Sequence, residues 1–486
     1  MPLPTIPSGN VASATAGAFE VANSCRFNDG DSAYLNRDLV TPTNADRWTY
    51  SLWVKRSNLG ASQILLSGGT ANDQADFILF RGTDDQLEWQ MYHGTDTAKY
   101  KTTRVFRDIA SWYHLVFTYD SANGTAGDRM RIYVNGTEET VFGTENNVAV
   151  NTDSKINAAN QHDIGYDSKG AVTSAYFDGY MAEVVFCDGQ AYAASDFGEF
   201  DEDSPTIWKP KDVSGLTFGN NGFYLDFEDS SNLGNDANGG TDFTEANLAA
   251  VDQATDTPTN NFCTLNPLHI ATSSPPTFSE GNLGLTSDGS NWRDSCGTIG
   301  LTNGRWYFET KAPGNTVQIG VCSQSWLNAQ GANVGAREGA QATPNEAVYG
   351  WYGNNGTVYY RTSAAQGTAF SGNTWSTEVI SVYLDLEDNL IYFAKDNTME
   401  NSGTGYALAT GEIYFPMVVG YVSGTTYINL GSTGAFGGTA VSSAVADDNG
   451  YGAFEFDPSR GGASDFNSSA KKFYAICTKN LAEFGG

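Results

Sequence analysis

The stretches WYHLVFTYD (Trp112–Asp120) and RMRIYVNG (Arg129–Gly136) decide the fold of the first half of the chain. Apolar and polar residues alternate along them and an Asn-Gly pair ends the second, as expected for neighbouring antiparallel strands with one buried face. The second half contains a comparable stretch, VISVYLDLEDNLIYF (Val379–Phe393), in which two apolar runs flank an Asp-Asn turn. The sequence therefore predicts the central hairpin of a β-sandwich twice.

The composition also favours strands over helices. The chain has 486 residues, of which 13% are aromatic and 54 are glycine. Aromatic residues fit pleated sheets, while Gly, Asn and Asp supply the geometry of tight turns. Because this length exceeds what one compact core accommodates, we expect an all-β protein with two antiparallel, jelly-roll-like β-sandwich domains in series.

The charge of the chain restricts its partners. The formal net charge is −30, and such a field repels nucleic-acid phosphates and anionic membrane surfaces. No apolar run approaches the roughly 18 residues of a membrane helix, so we expect no membrane insertion. The simplest reason for the acidity is solubility.

Cysteine spacing indicates neither a zinc site nor a disulfide framework. No CxxC pair occurs, and we expect most cysteines to be small buried hydrophobic residues. The start of the chain lacks the basic and apolar blocks of a signal peptide, so we expect folding in a reducing compartment. The six residues are Cys25, Cys187, Cys263, Cys296, Cys322 and Cys477.

Changes in composition along the chain predict five segments. Between Lys211 and Arg293 there is no Lys or Arg, and this part is rich in Asn, Asp, Gly and Thr, which is typical of a connector. The predicted segments are an N-terminal arm (1–26), a first sandwich (27–210), an irregular acidic connector (211–277), a second sandwich (278–478) and a C-terminal tail (479–486).

The first sandwich resembles the concanavalin A-like lectin and laminin-G-like domains. The resemblance depends on the order of several segments, which together cover most of residues 27–190. These segments are Ser51–Lys55, Trp112–Asp120, Ile132–Gly136, Ile164–Gly165 and Phe177–Val184.

The second sandwich resembles a SPRY domain. It departs from the family pattern at Ser381, where glycine is usual, and at Asp396–Asn397, where Asn-Gly is usual. The segments that carry the resemblance are Gly304–Glu309, Ile319–Val321, Val379–Phe393 and Asn429–Gly431.

The serial arrangement of the two sandwiches is similar to fibre, spike and other appendage proteins of tailed bacteriophages. Asp196–Glu199, Trp208–Lys211 and Asn260–Phe262 between the domains contribute to this likeness. It implies a virion surface protein assembled in the host cytoplasm, present as a homo-oligomer such as a trimer. Its implied partners are other virion proteins and a host cell-surface glycan or receptor.

Three hypotheses for function follow. The first is host attachment by glycan or receptor binding without catalysis. The second is a purely structural virion role in capsid decoration or in assembly of the tail or fibre. The third and most remote is a polysaccharide-degrading glycoside hydrolase, because Glu199, Asp201 and Asp203 have the spacing of a carboxylate row on one strand face.

Ligand binding by stacking requires loop aromatics beside polar side chains. Four aromatic residues of the second sandwich are expected at strand ends or in loops, namely Trp292, Trp326, Tyr352 and Trp375. Trp326, flanked by Gln324, Ser325 and Asn328, is the best candidate, and core packing is the alternative for each. Trp53, Trp112 and Trp306 lie within predicted strands and are assigned to the core, and His114 is expected to be a structural core residue.

No cofactor is expected, although related sandwiches often hold calcium at the rim. Turn carboxylates that supply hard oxygen ligands are the residues from which such a site would be built, and ordinary turn chemistry is the alternative. The candidates are Asp29, Asp31, Asp120, Asp128 and Asp178.

Overall fold

The computed structural model describes residues 19–269, 275–330, 348–359, 374–461, 465–466 and 470–485. The chain divides between Asn260 and Asn261 into two compact bodies, here called the first unit and the second unit. Antiparallel strands dominate both, so the predicted all-β class is confirmed. Among the described residues, no helix has the length and apolar character needed to span a bilayer.

The first unit contains eighteen strands among its described residues. They are β1 (Ser24–Phe27), β2 (Tyr34–Asp38), β3 (Arg47–Arg56), β4 (Gln63–Ala71), β5 (Gln74–Phe80), β6 (Gln86–His93), β7 (Asp96–Val105), β8 (Tyr113–Asp120), β9 (Met130–Val134), β10 (Thr137–Glu138), β11 (Phe142–Asn146), β12 (Gln161–Ile164), β13 (Gly179–Asp188), β14 (Gly198–Phe200), β15 (Trp208–Pro210), β16 (Phe223–Leu225), β17 (Thr244–Ala246) and β18 (Gln253–Ala254).

Two eight-stranded sheets form the sandwich of the first unit. The front sheet has the order β10-β9-β8-β3-β13-β1-β18, with β16 also paired to β13, and the back sheet has the order β11-β7-β6-β5-β4-β12-β2-β17. Alternate residues of β3 such as Trp48 and Tyr50 pack against Ile78 and Trp89 of the back sheet. This is the buried face that the alternating sequence predicts.

The outer face of the front sheet is also covered. Trp53 of β3 and Val116 of β8 belong to a second apolar cluster with Trp208 and Val213. Because both faces of β3 and β13 are buried, these strands are almost continuously shielded from solvent. The assignment of Trp53 and Trp112 to the core is confirmed, at 1% and 4% exposure.

Most of the segment expected as a connector lies within the first unit. Three of its strands join the sheets, because β16 pairs with β13, β17 with β2 and β18 with β1. Its acidic residues neutralise buried cations of the sandwich. The pairs are Arg26–Asp252 (2.9 Å), Arg37–Asp236 (3.2 Å) and Lys55–Asp256 (2.7 Å). Three acidic residues of this segment thus pair with cations of the sandwich.

The second unit contains sixteen strands and two short helices among its described residues. They are β19 (Thr277–Ser279), β20 (Gly284–Asp288), β21 (Arg293–Cys296), β22 (Arg305–Lys311), β23 (Val317–Ser323), α1 (Gln324–Gln330), β24 (Val348–Tyr352), β25 (Thr357–Tyr359), β26 (Val379–Asp385), β27 (Leu390–Lys395), β28 (Thr398–Met399), β29 (Tyr406–Ala407), β30 (Tyr414–Gly420), β31 (Ser423–Asn429), β32 (Ala435–Phe436), β33 (Thr439–Ala440), β34 (Tyr474–Ala475) and α2 (Thr478–Phe484).

The second unit is also a two-sheet sandwich. One sheet has the order β19-β20-β31-β22-β26-β27-β28, with β29 on β27 and β34 parallel to β22, and the other has the order β21-β30-β23-β24-β25. Trp306, Val382 and Ile391 of the larger sheet share a core with Ile319 and Trp351 of the smaller one. The predicted hairpin is therefore β26–β27, within the larger sheet.

The ends of the chain differ from the predicted boundaries. Residues 1–18 of the expected arm lie outside the described residues, and its last part forms β1, which pairs with β13. The expected tail forms α2, whose Leu481 and Phe484 pack against the core of the second unit. Both termini contain apolar residues that the sandwiches bury.

Candidate functional site

Three aromatic side chains form a partly exposed group, here called the aromatic cluster, in the second unit. The ring of Trp292 lies 5.8 Å from that of Tyr352 and 5.2 Å from that of Tyr421, measured between centroids. Tyr421 is exposed, and the other two are half-buried. Aromatic rings that remain accessible after packing against each other are suited to stacking on a ligand.

The smaller sheet of the second unit brings these residues together. Trp292 precedes β21, Tyr352 ends β24 and Tyr421 follows β30. At that end of the sheet, Gly420 of β30 pairs with Arg293 of β21 on one side and with Val317 of β23 on the other. Trp292 and Tyr421 are more than 120 residues apart in the sequence, and the sheet brings their rings into contact.

The loops around the aromatic cluster are closely packed. Gly289 has a φ of +73°, and a Cβ there would lie 3.2 Å from the backbone nitrogen of Ser423. A Cβ on Gly353 would lie 2.7 Å from the carbonyl oxygen of Asn315. Glycine is required at such close approaches, so the loops form a defined surface.

Polar groups surround the rings. Asp288 accepts hydrogen bonds from the backbone of Ser290 (2.9 Å) and from Arg293 Nη2 (2.7 Å). The backbone N–H of Ser290 helps to hold the pKa of Asp288 below its usual range. Asn354 donates to the hydroxyl of Tyr352 at 3.4 Å. The cluster thus combines ring faces with carboxylate, amide and hydroxyl groups, which is the composition of a saccharide-binding surface.

The structure separates the predicted binding residues into two groups. Trp292 and Tyr352 lie in the aromatic cluster. Trp326 and Trp375 are buried, at 3% and 1% exposure, and their ring faces are covered by the protein. Asn328 is exposed on α1. Tyr421 was not predicted from the sequence, although this residue follows an apolar strand directly and so meets the same strand-end criterion.

The carboxylate row does not lie on one strand face. Glu199 is in β14, but Asp201 follows the strand and is 1% exposed. Its Oδ1 accepts the backbone N–H groups of Asp203 and Ser204, and Lys209 lies 3.4 Å from its Oδ2. Asp201 therefore stabilises a turn, and the geometry gives no support to an acid and nucleophile pair.

The five candidate calcium ligands are not assembled into a site. In the described ranges, no group of three or more His, Cys, Asp and Glu side chains is arranged to hold a metal ion. Asp31 accepts a hydrogen bond from Asn28 (2.8 Å), and Asp120 pairs with Arg47 (3.0 Å). Asp29 lies in a 3₁₀ turn and Asp128 in another, while the carbonyl of Asp178 accepts from Ser57. The side chains of Asp31 and Asp120 are thus held by protein partners.

Comparison with protein families agrees with the two sandwiches. Residues 27–194 match the model of the concanavalin A-like lectin/glucanases superfamily, and residues 305–432 match the SPRY domain. The chain carries a concanavalin A-like domain followed by a SPRY domain. Among curated proteins, none matches the chain significantly.

Several solved structures are similar to the chain at low identity. The SPRY domain of human HERC1 is 15% identical (34% of this chain and 96% of that chain covered, TM-score 0.26). A Bacteroides ovatus protein proposed to bind carbohydrate is 19% identical (47% and 58% covered, TM-score 0.32). Domains LG4-5 of the mouse laminin α1 chain are 9% identical (85% and 91% covered, TM-score 0.29).

The aromatic cluster lies at one edge of the SPRY domain. Tyr352 and Tyr421 fall within the matched residues, and Trp292 precedes them. The concanavalin A-like domain and the SPRY domain belong to lectin-like and binding-type families, and no match to a purely enzymatic family was found. The fold and the cluster together indicate recognition by binding.

Proposed function

We propose that this protein is a virion surface protein, of the tail-appendage type, that attaches to the host by binding a glycan or a surface receptor without catalysis. The aromatic cluster of the SPRY domain is the contact surface. The single observation that carries the binding function is the group of accessible rings of Trp292, Tyr352 and Tyr421 with polar side chains around it.

The virion location is supported by the order of the sequence segments that resemble phage appendage proteins. Folding in a reducing cytoplasm is compatible with the cysteines, which are all buried and form no disulfide with one another. Immunoelectron microscopy of virions, with antibodies against this chain, tests the location. Absence of label from intact particles would contradict it.

Glycan-array binding of the full chain tests the contact surface. We expect Trp292→Ala and Tyr421→Ala to weaken binding about tenfold each, because an aromatic contact contributes roughly 0.5–1.5 kcal/mol beyond the area it buries. The matched control is Phe200→Ala, which removes another exposed ring, in the first unit.

The outcomes distinguish the hypotheses. Binding that the two cluster variants reduce and the control does not supports attachment through the SPRY domain. Absence of binding to every glycan and to host cells would overturn attachment and favour the purely structural role. Release of reducing sugar that is lost in Glu199→Gln would favour the glycoside hydrolase.

A further inference from the structure

The loops around the aromatic cluster carry no charged side chain. They connect β20 to β21 (289–292), β22 to β23 (312–316), β24 to β25 (353–356) and β30 to β31 (421–422). Gly420 pairs with both Arg293 and Val317. Tyr352 pairs with Gln318, the residue after Val317, so all four loops lie at the same end of the smaller sheet. They contain no Asp, Glu, Lys or Arg, whereas 17% of the whole chain is charged.

Amide groups make these loops polar without charge. Asn354 donates to the hydroxyl of Tyr352 at 3.4 Å, and Oδ1 of Asn355 accepts a backbone N–H at 3.0 Å. The side chains of Asn291 and Asn315 are exposed and make no hydrogen bond with any other described residue. An amide group offers two donors and an acceptor oxygen. These side chains therefore match hydroxyl groups, which both donate and accept.

The charged residues that border the loops are balanced. Asp288 and Arg293 flank the first loop and pair with each other at 2.7 Å. The segment 374–378 hydrogen-bonds to the loop 353–356 at 3.1 Å. Lys395 Nζ donates to a carbonyl oxygen of this segment at 3.2 Å and interacts electrostatically with Glu378. An anionic ligand would therefore meet no uncompensated cation among these residues.

Lys311 ends β22 beside the second loop but faces away from the smaller sheet. Phe308 of the same strand belongs to the core that the two sheets share, and strand alternation turns Lys311 to the other face. There its Nζ lies 6.0 Å from the ring centroid of Phe436. The net charge of −30 adds a field that repels anions, and an uncharged ligand is not subject to this repulsion.

We propose that the aromatic cluster binds an uncharged saccharide and discriminates against glycans that carry carboxylate, sulfate or phosphate groups. This inference rests on the proposed function and names the class of ligand for the same site. The rings of Trp292, Tyr352 and Tyr421 contact the CH faces of the sugar. Asn291 and Asn315 contact its hydroxyl groups.

Binding of the full chain to matched pairs of glycans tests the proposal. The two members of a pair share one backbone, and one member is uncharged while the other carries a sialic acid, uronate or sulfate group. We expect the charged member to bind about tenfold or more weakly, because its anion loses hydration without gaining an ion pair. The affinity for the uncharged member should be the same at low and at high ionic strength, since salt has no ligand charge to screen.

A new cation beside the rings should reverse the discrimination. Asn291→Lys and Asn315→Lys are each expected to strengthen binding of the charged members about two- to fivefold, which is the range of an exposed ion pair. The matched control is Asn328→Lys on α1, which follows β23 at the opposite end of the smaller sheet. This variant should leave the preference unchanged, and circular dichroism shows that all three variants are folded.

The outcomes separate this inference from the proposed function. Binding of no glycan at all, or binding that Trp292→Ala leaves intact, would overturn both. Equal or tighter binding of the charged members that is lost in Trp292→Ala would overturn the selectivity alone. The selectivity would also be overturned if neither lysine variant of the cluster changed the preference. The same effect in Asn328→Lys would overturn it too, because total charge would then be the cause.

Discussion

Trp208 Nε1 donates a hydrogen bond to Nδ1 of His114 at 2.9 Å, in the buried layer outside the front sheet. An indole nitrogen only donates, so Nδ1 carries no proton and Nε2 donates to Ser51 Oγ, also at 2.9 Å. Trp53 stacks on the imidazole at 4.7 Å. This arrangement holds the histidine neutral, and burial lowers its pKa to about 3. The expected structural role of His114 is confirmed.

Acid should destabilise the first unit through two histidines. Burial also lowers the pKa of His162 to about 4. Because both folded pKa values lie below the unfolded value of about 6.5, unfolding takes up protons, and stability is lost as the pH falls from about 6.5 towards 4. We expect these two histidines together to take up about two protons on unfolding. Urea unfolding at several pH values measures this uptake. The variant His114→Gln should lose about half of this pH dependence, and an unchanged slope would contradict the assignment.

Glu183 should destabilise the first unit as the pH rises, which is opposite to the effect of the two histidines. It lies at a β-bulge of β13 with a φ of +49°, and its Oε2 accepts the hydroxyl of Tyr224 at 2.7 Å. Burial raises its pKa to about 8, so stability is lost as the pH rises from about 4.5 to 8. Glu183→Gln retains an acceptor for Tyr224 and cannot ionise.

We expect Glu183→Gln to be more stable than the natural protein at pH 8 and similar at pH 4.5. Between the unfolded and folded pKa values, Glu183 is protonated in the folded state and ionised in the unfolded state. The natural protein then loses about 1.4 kcal/mol of stability for each pH unit, and the substitution removes this loss. Chemical unfolding at the two pH values measures the difference. The exposed neighbour Glu228→Gln is the control, and an equal effect of both substitutions would show that net charge is the cause.

Local features of the fold could be predicted from the sequence, and contacts between distant residues could not. The strands around Trp112–Asp120 and Val379–Phe393 were predictable because alternation is a local property. The packing of the acidic segment on the first sandwich could not be predicted. Its ion pairs with Arg26, Arg37 and Lys55 join residues about 200 positions apart. The same limit applies to the site, where nothing local to Trp292 or Trp326 indicates which ring the fold covers.

Glu309 should not tolerate an isosteric amide. Its Oε1 accepts from the hydroxyl of Tyr307 (2.7 Å) and the N–H of Phe456 (2.8 Å), and its Oε2 from Asn429 Nδ2 (3.2 Å) and the N–H of Glu455 (2.8 Å). In Glu309→Gln the NH₂ group lies either against the N–H of Phe456 or against both Asn429 Nδ2 and the N–H of Glu455, because only the Tyr307 hydroxyl can turn to accept. We expect a loss of about 2–4 kcal/mol, since buried donors without acceptors cost roughly 1–3 kcal/mol each.

Thermal unfolding followed by circular dichroism measures this loss. The control Glu455→Gln changes a carboxylate that accepts hydrogen bonds from Ser442 at the surface, and it should shift the melting temperature little. A Glu309→Gln variant as stable as this control would show that the four hydrogen bonds contribute little.

Removal of calcium should leave the first unit unchanged. Asp120 is neutralised by Arg47, and Asp31 accepts from the amide of Asn28, so these carboxylates are satisfied by the protein. We expect the melting temperature to be the same in excess EDTA and in excess calcium, by differential scanning calorimetry. A higher melting temperature with calcium would mean that a site forms from groups that these contacts do not include, because binding to the folded state raises stability.

Trp292 and Trp326 should give opposite results when truncated, although their sequence surroundings are similar. Trp326 is buried among Cys296, Cys322 and Met417 on the outer face of the smaller sheet, so Trp326→Ala leaves a cavity and is expected to cost about 3–5 kcal/mol. Trp292 packs against the edge of the same cluster, but it is half-buried and contacts two rings that remain partly accessible. Trp292→Ala should therefore retain most of the stability and lose glycan binding. Thermal unfolding and binding are measured on the same preparations, and a Trp292→Ala variant as destabilised as Trp326→Ala would assign the aromatic cluster to folding instead of recognition.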